Sequence, residues 1–212
     1  MMFRRHVIAV GMASLGTVLL PAGLVSADER QDAASALIDR MIADLKNFLA
    51  TDTGDVEARA AEIDRVLGTY FDMETITRFS AGQYWRVADT AQRTEYSGLF
   101  RDVLCGTIVR NFDQLDGLDY TAGASSAKGD KFVMVSGTFT DTKGVKPPVK
   151  VNWRVLTPEG SPPRVFDIEI ENLSLLVTQK QENIAVIRKN RGQFTALIDA
   201  MRARLDTPVH TN

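Results

Sequence analysis

The residues best equipped for chemistry in this sequence are a short acidic ladder, one thiol and a few neighbouring carboxylates. Asp167, Glu169 and Glu171 alternate along "VFDIEIEN". Residues two apart on a strand are roughly 6.5–7 Å apart, a spacing used by general acid and base pairs in glycoside hydrolysis. Such a pair needs one carboxyl in surroundings that keep it protonated, and nothing in the sequence points to burial here. Lys150 and Arg154 on the preceding segment offer counter-ions, so a solvated, charge-compensated strand face is expected. Cys105 is the only cysteine; as a nucleophile it would need a base to form the thiolate. Its place at the edge of an apolar stripe predicts a partly buried structural thiol. Asp113 and Asp116 lack the alternating spacing of a calcium loop and are expected on the surface.

The two histidines stand at the extremes, His6 and His210. Everything between them lacks the commonest general base and metal ligand near neutral pH. Ser-His, Cys-His and His-zinc designs are therefore excluded from that stretch. The expectation is a protein that is not an enzyme, with no metal and no cofactor.

The chain opens on Arg4, Arg5 and His6, followed by an apolar run from Val7 to Leu20 and by Pro21. Val25-Ser26-Ala27 has the small-residue pattern of a signal-peptidase site. A run of this length falls short of the roughly 20 residues that span a bilayer. Residues 1–27 are read as a cleaved secretory leader, with an uncleaved anchor as the alternative. That leaves 28–206 as a single domain and 207–212 as a disordered tail. Without Arg4 and Arg5, 23 basic residues face 27 acidic ones, a net charge of −4. This argues against a nucleic-acid partner and against a general pull toward anionic membranes. A lone cysteine forms no intrachain disulfide, so stability must come from packing.

"AASALIDRMIADLKNFLAT" carries an apolar stripe at Leu37, Met41, Leu45 and Phe48, which predicts a helix with one buried face. "TDTGD" is a turn before a second helix with Val56, Ile63, Leu67 and Tyr70, and a third runs through Met73, Ile76 and Phe79. Asp89 and Gln92 have capping-box spacing at the start of a long helix expected from Thr90 to Leu115. The period then falls to two. Leu118–Ala122, "FVMVSGTF", "VKVNWRVL" and "VFDIEI" read as strands between turn sequences. Helix returns at "TQKQENIAVIRKN", and a last one places Phe194, Leu197, Ile198, Met201 and Leu205 on one face. This order predicts an α+β fold with an antiparallel sheet of about four strands packed against a set of helices. Pairing Trp153 with Ile168 also pairs Arg154 with Asp167 and Lys150 with Glu171. One register thus gives an apolar face and a compensated charged face.

In "RFSAGQYWRVADTAQRTEYSGLFRDVL" an aromatic helix end, Gly-x-Tyr-Trp, a polar break and an aromatic-striped helix follow in order: Phe79, Gly82, Tyr84, Trp85, Tyr96, Phe100, Leu104. With "PPVKVNWRVLTPEG", "VFDIEIENLSLLVTQK" and "RGQFTALIDAMRARL", the chain resembles the MlaC, or toluene-tolerance, family of periplasmic phospholipid-binding proteins. The likeness runs from about Leu37 to Leu205. Ile108 and Asn183 stand where relatives often carry an aromatic residue, Gly106 where a basic one is common, and Lys180 for a frequent Arg.

The resemblance implies a periplasmic carrier that moves phospholipid between an outer-membrane lipoprotein–porin complex and the lipid-binding ring of an inner-membrane ABC transporter, maintaining outer-membrane lipid asymmetry. It also implies a lipid pocket between the sheet and the helices. Periodicity then places Val149, Val151, Trp153 and Val155, with Phe166, Ile168 and Ile170, on the sheet side of that pocket. Val133, Val135 and Phe139 join them, although Phe132 and Met134 make the other face of their strand apolar too. Phe100, Leu104 and Ile108 would face them from the long helix, with Tyr84 near the mouth. Spacing alone does not separate pocket wall from solid core. A hopanoid-associated branch of the family and an accessory protein without lipid are the alternatives, and an enzyme on a similar scaffold is the reading that the missing His opposes.

Overall fold

The computed structural model describes residues 26–206. The expected leader lies outside the described residues apart from Ser26 and Ala27, and so does the expected tail. The first helix, α1, spans Ala27–Thr51 and starts at a capping box, in which the Ser26 hydroxyl accepts from the Glu29 amide and the Glu29 carboxylate from the Ser26 amide. α2 (Val56–Tyr70) is capped by Asp55 and α3 (Met73–Ser80) by Asp72. A 3-10 turn, Gly82–Arg86, leads to α4 (Thr90–Arg110), with the expected capping box at Asp89 and Gln92.

The long helix ends five residues earlier than its stripe suggests. At Asn111 the side-chain amide donates to the Thr107 carbonyl at 2.8 Å, and the chain tightens into a 3-10 turn, Phe112–Leu115. The break drops Phe112 edge-on against Phe48, 5.6 Å between ring centres, beneath the Arg59 guanidinium. A continuous helix would keep Phe112 in the same stripe; the kink seals a small core of Ile63, Leu67 and Phe112.

Five antiparallel strands follow in sheet order: β1 (Leu118–Lys128), β2 (Phe132–Asp141), β3 (Val149–Leu156), β4 (Arg164–Ile170) and the two-residue β5 (Leu173–Ser174). Then come α5 (Leu175–Lys189) and α6 (Thr195–Leu205). The fold is α+β. β1 is twice the length its sequence suggests, because a register shift between Ala122 and Ser125 breaks the alternation that would reveal it. Among the described residues no helix is long and apolar enough to cross a membrane.

The expected β3–β4 register holds at Trp153 opposite Ile168 and Arg154 opposite Asp167. The Glu171 amide donates to the Lys150 carbonyl at 3.1 Å, which continues it. Beyond Arg154 a bulge sets Val155 against Val165. Two residues, Phe166 and Asp167, therefore share the place opposite Arg154. This corrects the expected face of Phe166: it turns away from the valine face and meets Phe132 edge-on at 5.6 Å, with the Arg154 guanidinium over both rings.

The valine face is a solid core. Val133, Val135, Val151, Trp153, Val155 and Val165 close against Leu37, Ile38, Met41 and Ile42 of α1, with Val66 and Tyr70 of α2. Each such side chain, fully buried, stabilises the fold by about 1.5–3 kcal/mol. Tyr120 reaches across this layer and accepts a hydrogen bond from the Trp153 indole at 3.1 Å. Its ring lies so close over Gly137 that a Cβ there would come within 2.3 Å of it.

Candidate functional site

The second apolar region is hollow. A cavity of about 630 Å³ lies between the helices and the last long strand, within the ~300–1,000 Å³ typical of ligand pockets. α4 contributes Phe100, Val103, Leu104, Thr107, Ile108 and Arg110. From Phe100 to Ile108, steps of three and four keep one helix face on the cavity over more than two turns. Leu67 of α2, Phe71 just beyond that helix and Ile76 of α3 close one side. Leu175, Leu176, Thr178, Gln179 and Glu182 of α5 close another, with Met201 and Arg204 of α6. From the sheet come only Phe166, Asp167 and Ile168. Arg110, Leu175, Thr178 and Glu182 are exposed, so the cavity reaches the surface. Its interior offers hydrocarbon and aromatic surface; the charges are Asp167, held by partners, and Arg110, Glu182 and Arg204.

Asp167 is the tie that holds α5 to the sheet. Its side chain is 1% exposed and accepts from the Arg154 guanidinium (3.1 Å), the Ser174 hydroxyl (2.6 Å) and the amides of Ile168 (2.8 Å) and Leu176 (3.0 Å). This corrects the expectation of a solvated acidic face: two of those donors sit at the start of α5, which folds over the strand and takes Asp167 with it. Glu171 and Asn172, both with positive φ (49° and 66°), make the reversal between β4 and β5 that permits this.

A second polar tie sits at mid-helix. The buried Asn183 amide donates to the Tyr96 hydroxyl at 2.9 Å and to the Ser80 carbonyl at 3.2 Å, and its oxygen accepts from Gln179 at 2.8 Å. Ser80 and Tyr96 share a further hydrogen bond of 2.6 Å. Burial pushes the Tyr96 phenol well above its ordinary range, so it stays a neutral hydroxyl. Asn183 thus joins α3, α4 and α5 in one network. "GQYW" fits the same junction. Gly82 has φ +60°, and a Cβ on it would meet Ile184 at 2.8 Å, so α5 lies directly on this turn. Trp85 then packs edge-on to Tyr96 at 6.4 Å.

Of the fourteen residues expected at a pocket, the structure brings Phe100, Leu104, Ile108, Phe166 and Ile168 to this cavity. Val133, Val135, Val151, Trp153 and Val155 lie instead in the solid core, with Phe139 packed against it. Val149 is half-buried at a strand end, and Ile170 is 38% exposed. Tyr84 packs on the core formed by Tyr96, Phe194 and Ile187, away from the cavity lining. The sheet's apolar alternation predicts one wall of a pocket, but α1 fills that side. Leu67, Leu176 and Met201 carry stripe signals of their own, but nothing in the spacing distinguishes a stripe facing space from one facing side chains. Cys105 is partly buried, its thiol 3.5 Å from the Ala60 carbonyl, and burial raises its pKa. Asp113 is exposed and pairs with Arg59 at 2.8 Å. Among the described residues no three His, Cys, Asp or Glu side chains gather as a metal ion would require.

Comparison with known proteins adds two findings. A family model described as MlaC protein matches residues 35–203. Among solved structures, the phospholipid-binding protein from Ralstonia solanacearum in complex with a phospholipid is similar in fold. Its TM-score is 0.70 at 22% identity, over 83% of this chain and 96% of that one.

Proposed function

The chain belongs to the MlaC family, and we propose that it is a binding and transport protein whose cargo is phospholipid. In this reading it works in the periplasm after loss of its leader. It shuttles lipid between an outer-membrane lipoprotein–porin complex and the lipid-binding ring of an inner-membrane ABC transporter, and so serves outer-membrane lipid asymmetry. The observation that carries the proposal is the cavity of about 630 Å³ walled by Phe100, Leu104, Ile108, Leu176 and Met201. The fold it shares with a protein whose structure holds a phospholipid supports the same reading.

The energetics favour a hollow over a catalyst. A phospholipid has on the order of 30 methylenes, each worth about 0.8 kcal/mol when kept from water, so release into water would cost roughly 24 kcal/mol. Transfer from a bilayer into an apolar cavity keeps most of the tail surface out of water. The step therefore needs no reactive group and no cofactor. At roughly 30 Å³ per methylene, the space of about 630 Å³ takes on the order of 20 of the roughly 30 groups, so a whole phospholipid fits only if the helices part further or the tail ends lie along the open side. The tails lie against α4, α5 and β4, and the headgroup sits at the rim with Arg110, Glu182 and Arg204.

Organic extraction of the purified, full-length protein followed by mass spectrometry tests this. About one phospholipid per chain is expected. A hopanoid in its place would assign the protein to the other branch, and a blank extract from folded protein would make it an accessory protein without lipid.

A further inference from the structure

A second recess lies at the "GQYW" turn and shares no lining residue with the lipid cavity. It measures about 630 Å³ and is lined by Thr75, Arg78, Phe79, Gly82, Trp85, Arg86, Arg93 and Lys180, four cations and no carboxylate. Elsewhere Arg59, Arg65, Arg101, Arg154, Arg202 and Arg204 sit in ion pairs, half of the described arginines outside the recess. None of the four cations here is in an ion pair among the described residues. A chain with an excess of acidic residues thus gathers four cations without ion-pair partners around one concave surface.

The recess is built, not frayed. The Arg93 guanidinium donates to the Trp85 carbonyl at 2.9 Å and to the Arg86 carbonyl at 3.2 Å, and lies over the Trp85 ring at 5.7 Å. The Lys180 ammonium sits 4.4 Å above the Phe79 ring, and its stem lies over Gly82, where a Cβ would be 3.2 Å away. These contacts fix two cations from α4 and α5 as the floor, while Arg78 and Arg86 stand exposed at the edge.

We propose that this recess is the docking site for an acidic segment of a partner protein. Four separated cations on four elements match several carboxylates spaced along a chain better than one compact anion, and the volume far exceeds that of an inorganic phosphate. A planar bilayer surface does not enter a recess, and both aromatic rings are already covered by the protein's own cations. Carboxylates arriving here gain charge-assisted hydrogen bonds without breaking existing pairs.

The test is fluorescence anisotropy of a fluorescein-labelled hexaglutamate peptide with the full-length protein at low ionic strength. Saturable binding is expected. The double variant Arg78→Glu/Arg86→Glu, changed at two exposed positions, should weaken it about tenfold. Lys180→Gln should weaken it by about two- to fivefold, and Arg188→Glu/Lys189→Glu should leave it unchanged. Thermal melts establish that each variant is folded. Absent binding, or equal weakening in the Arg188/Lys189 variant, overturns the proposal. So does displacement of the peptide by equimolar inorganic phosphate, or Arg78- and Arg86-dependent sedimentation with phosphatidylglycerol vesicles in place of peptide binding. The proposal stands apart from the lipid reading. Protein with a blank extract but tenfold discrimination would keep this site, and lipid-loaded protein without discrimination would lose it.

Discussion

The two apolar regions beside β4 are made of similar side chains and end differently. Under α1, Val133, Val135, Val151, Trp153, Val155 and Val165 are at most 6% exposed and meet Leu37, Ile38 and Met41 directly. Between α4, α5 and α6, Phe100, Leu104, Ile108, Leu176 and Met201 surround about 630 Å³ of space. A pleated strand sets short branched side chains at a fixed repeat, and one helix laid on them interlocks. Three helices meeting at the edge of a sheet leave a wedge that side chains on cylinders do not fill. Apolar space of this kind costs stability, so its walls need other support, and the polar ties Asp167 and Asn183 occur on this side of the molecule.

The contrast breaks most visibly at Trp153. Trp153→Ala should lower the unfolding free energy by about 3–5 kcal/mol in urea titrations, because the void forms inside a filled layer and also strands the Tyr120 hydroxyl. Asp167→Ala should cost about 3 kcal/mol, somewhat reduced because Arg154 keeps partial solvent access. Its distinguishing mark is faster amide exchange over Leu175–Gln179, since the start of α5 loses its anchor. Matched overpacking sharpens the comparison further. Val155→Trp should cost about 1–3 kcal/mol or more, whereas Leu104→Trp should stay within about 1 kcal/mol while reducing extracted lipid several-fold. Equal destabilisation by the two would mean that the hollow is as tightly packed as the core.

Smaller effects concern titration. Hydrogen bonds from Tyr70 and then Arg65 hold the Asp44 carboxyl below its ordinary range, and Arg101 does the same for Asp64. A depressed folded pKa stabilises above the unfolded value of about 3.9 and loses that contribution as pH falls through the folded one. With no His between residues 26 and 206, the thermal midpoint should be flat from about pH 5 to 8 and fall below about pH 4. The smallest effect is at Cys105, whose raised pKa and Ala60 contact should make it react with a thiol reagent more slowly than a free cysteine.

Much of the frame could be read in the sequence because alternation and three-four spacing report directly on local geometry. The caps at Asp89 and Gln92, the order of elements and the Trp153–Ile168 register follow from it. The bulge at Phe166 did not, since "RVFDIEI" alternates without interruption and the extra residue is set by the strand beside it. The same holds for Asp167, which reads as one rung of an exposed ladder until α5 folds over it. Nor does a stripe say whether it faces matter or space: Val151 on its strand and Leu104 on its helix are each apolar in phase, and only the third dimension tells filled from hollow.

Gly137 and Tyr120 have a bearing on descent. The ring occupies the room where any other residue would place its first carbon, and its hydroxyl receives the Trp153 indole. Drift at position 137 is therefore barred while the tyrosine stands. Replacing the tyrosine first would open a gap over the glycine, so lineages that escape this lock should be found to have altered both positions together.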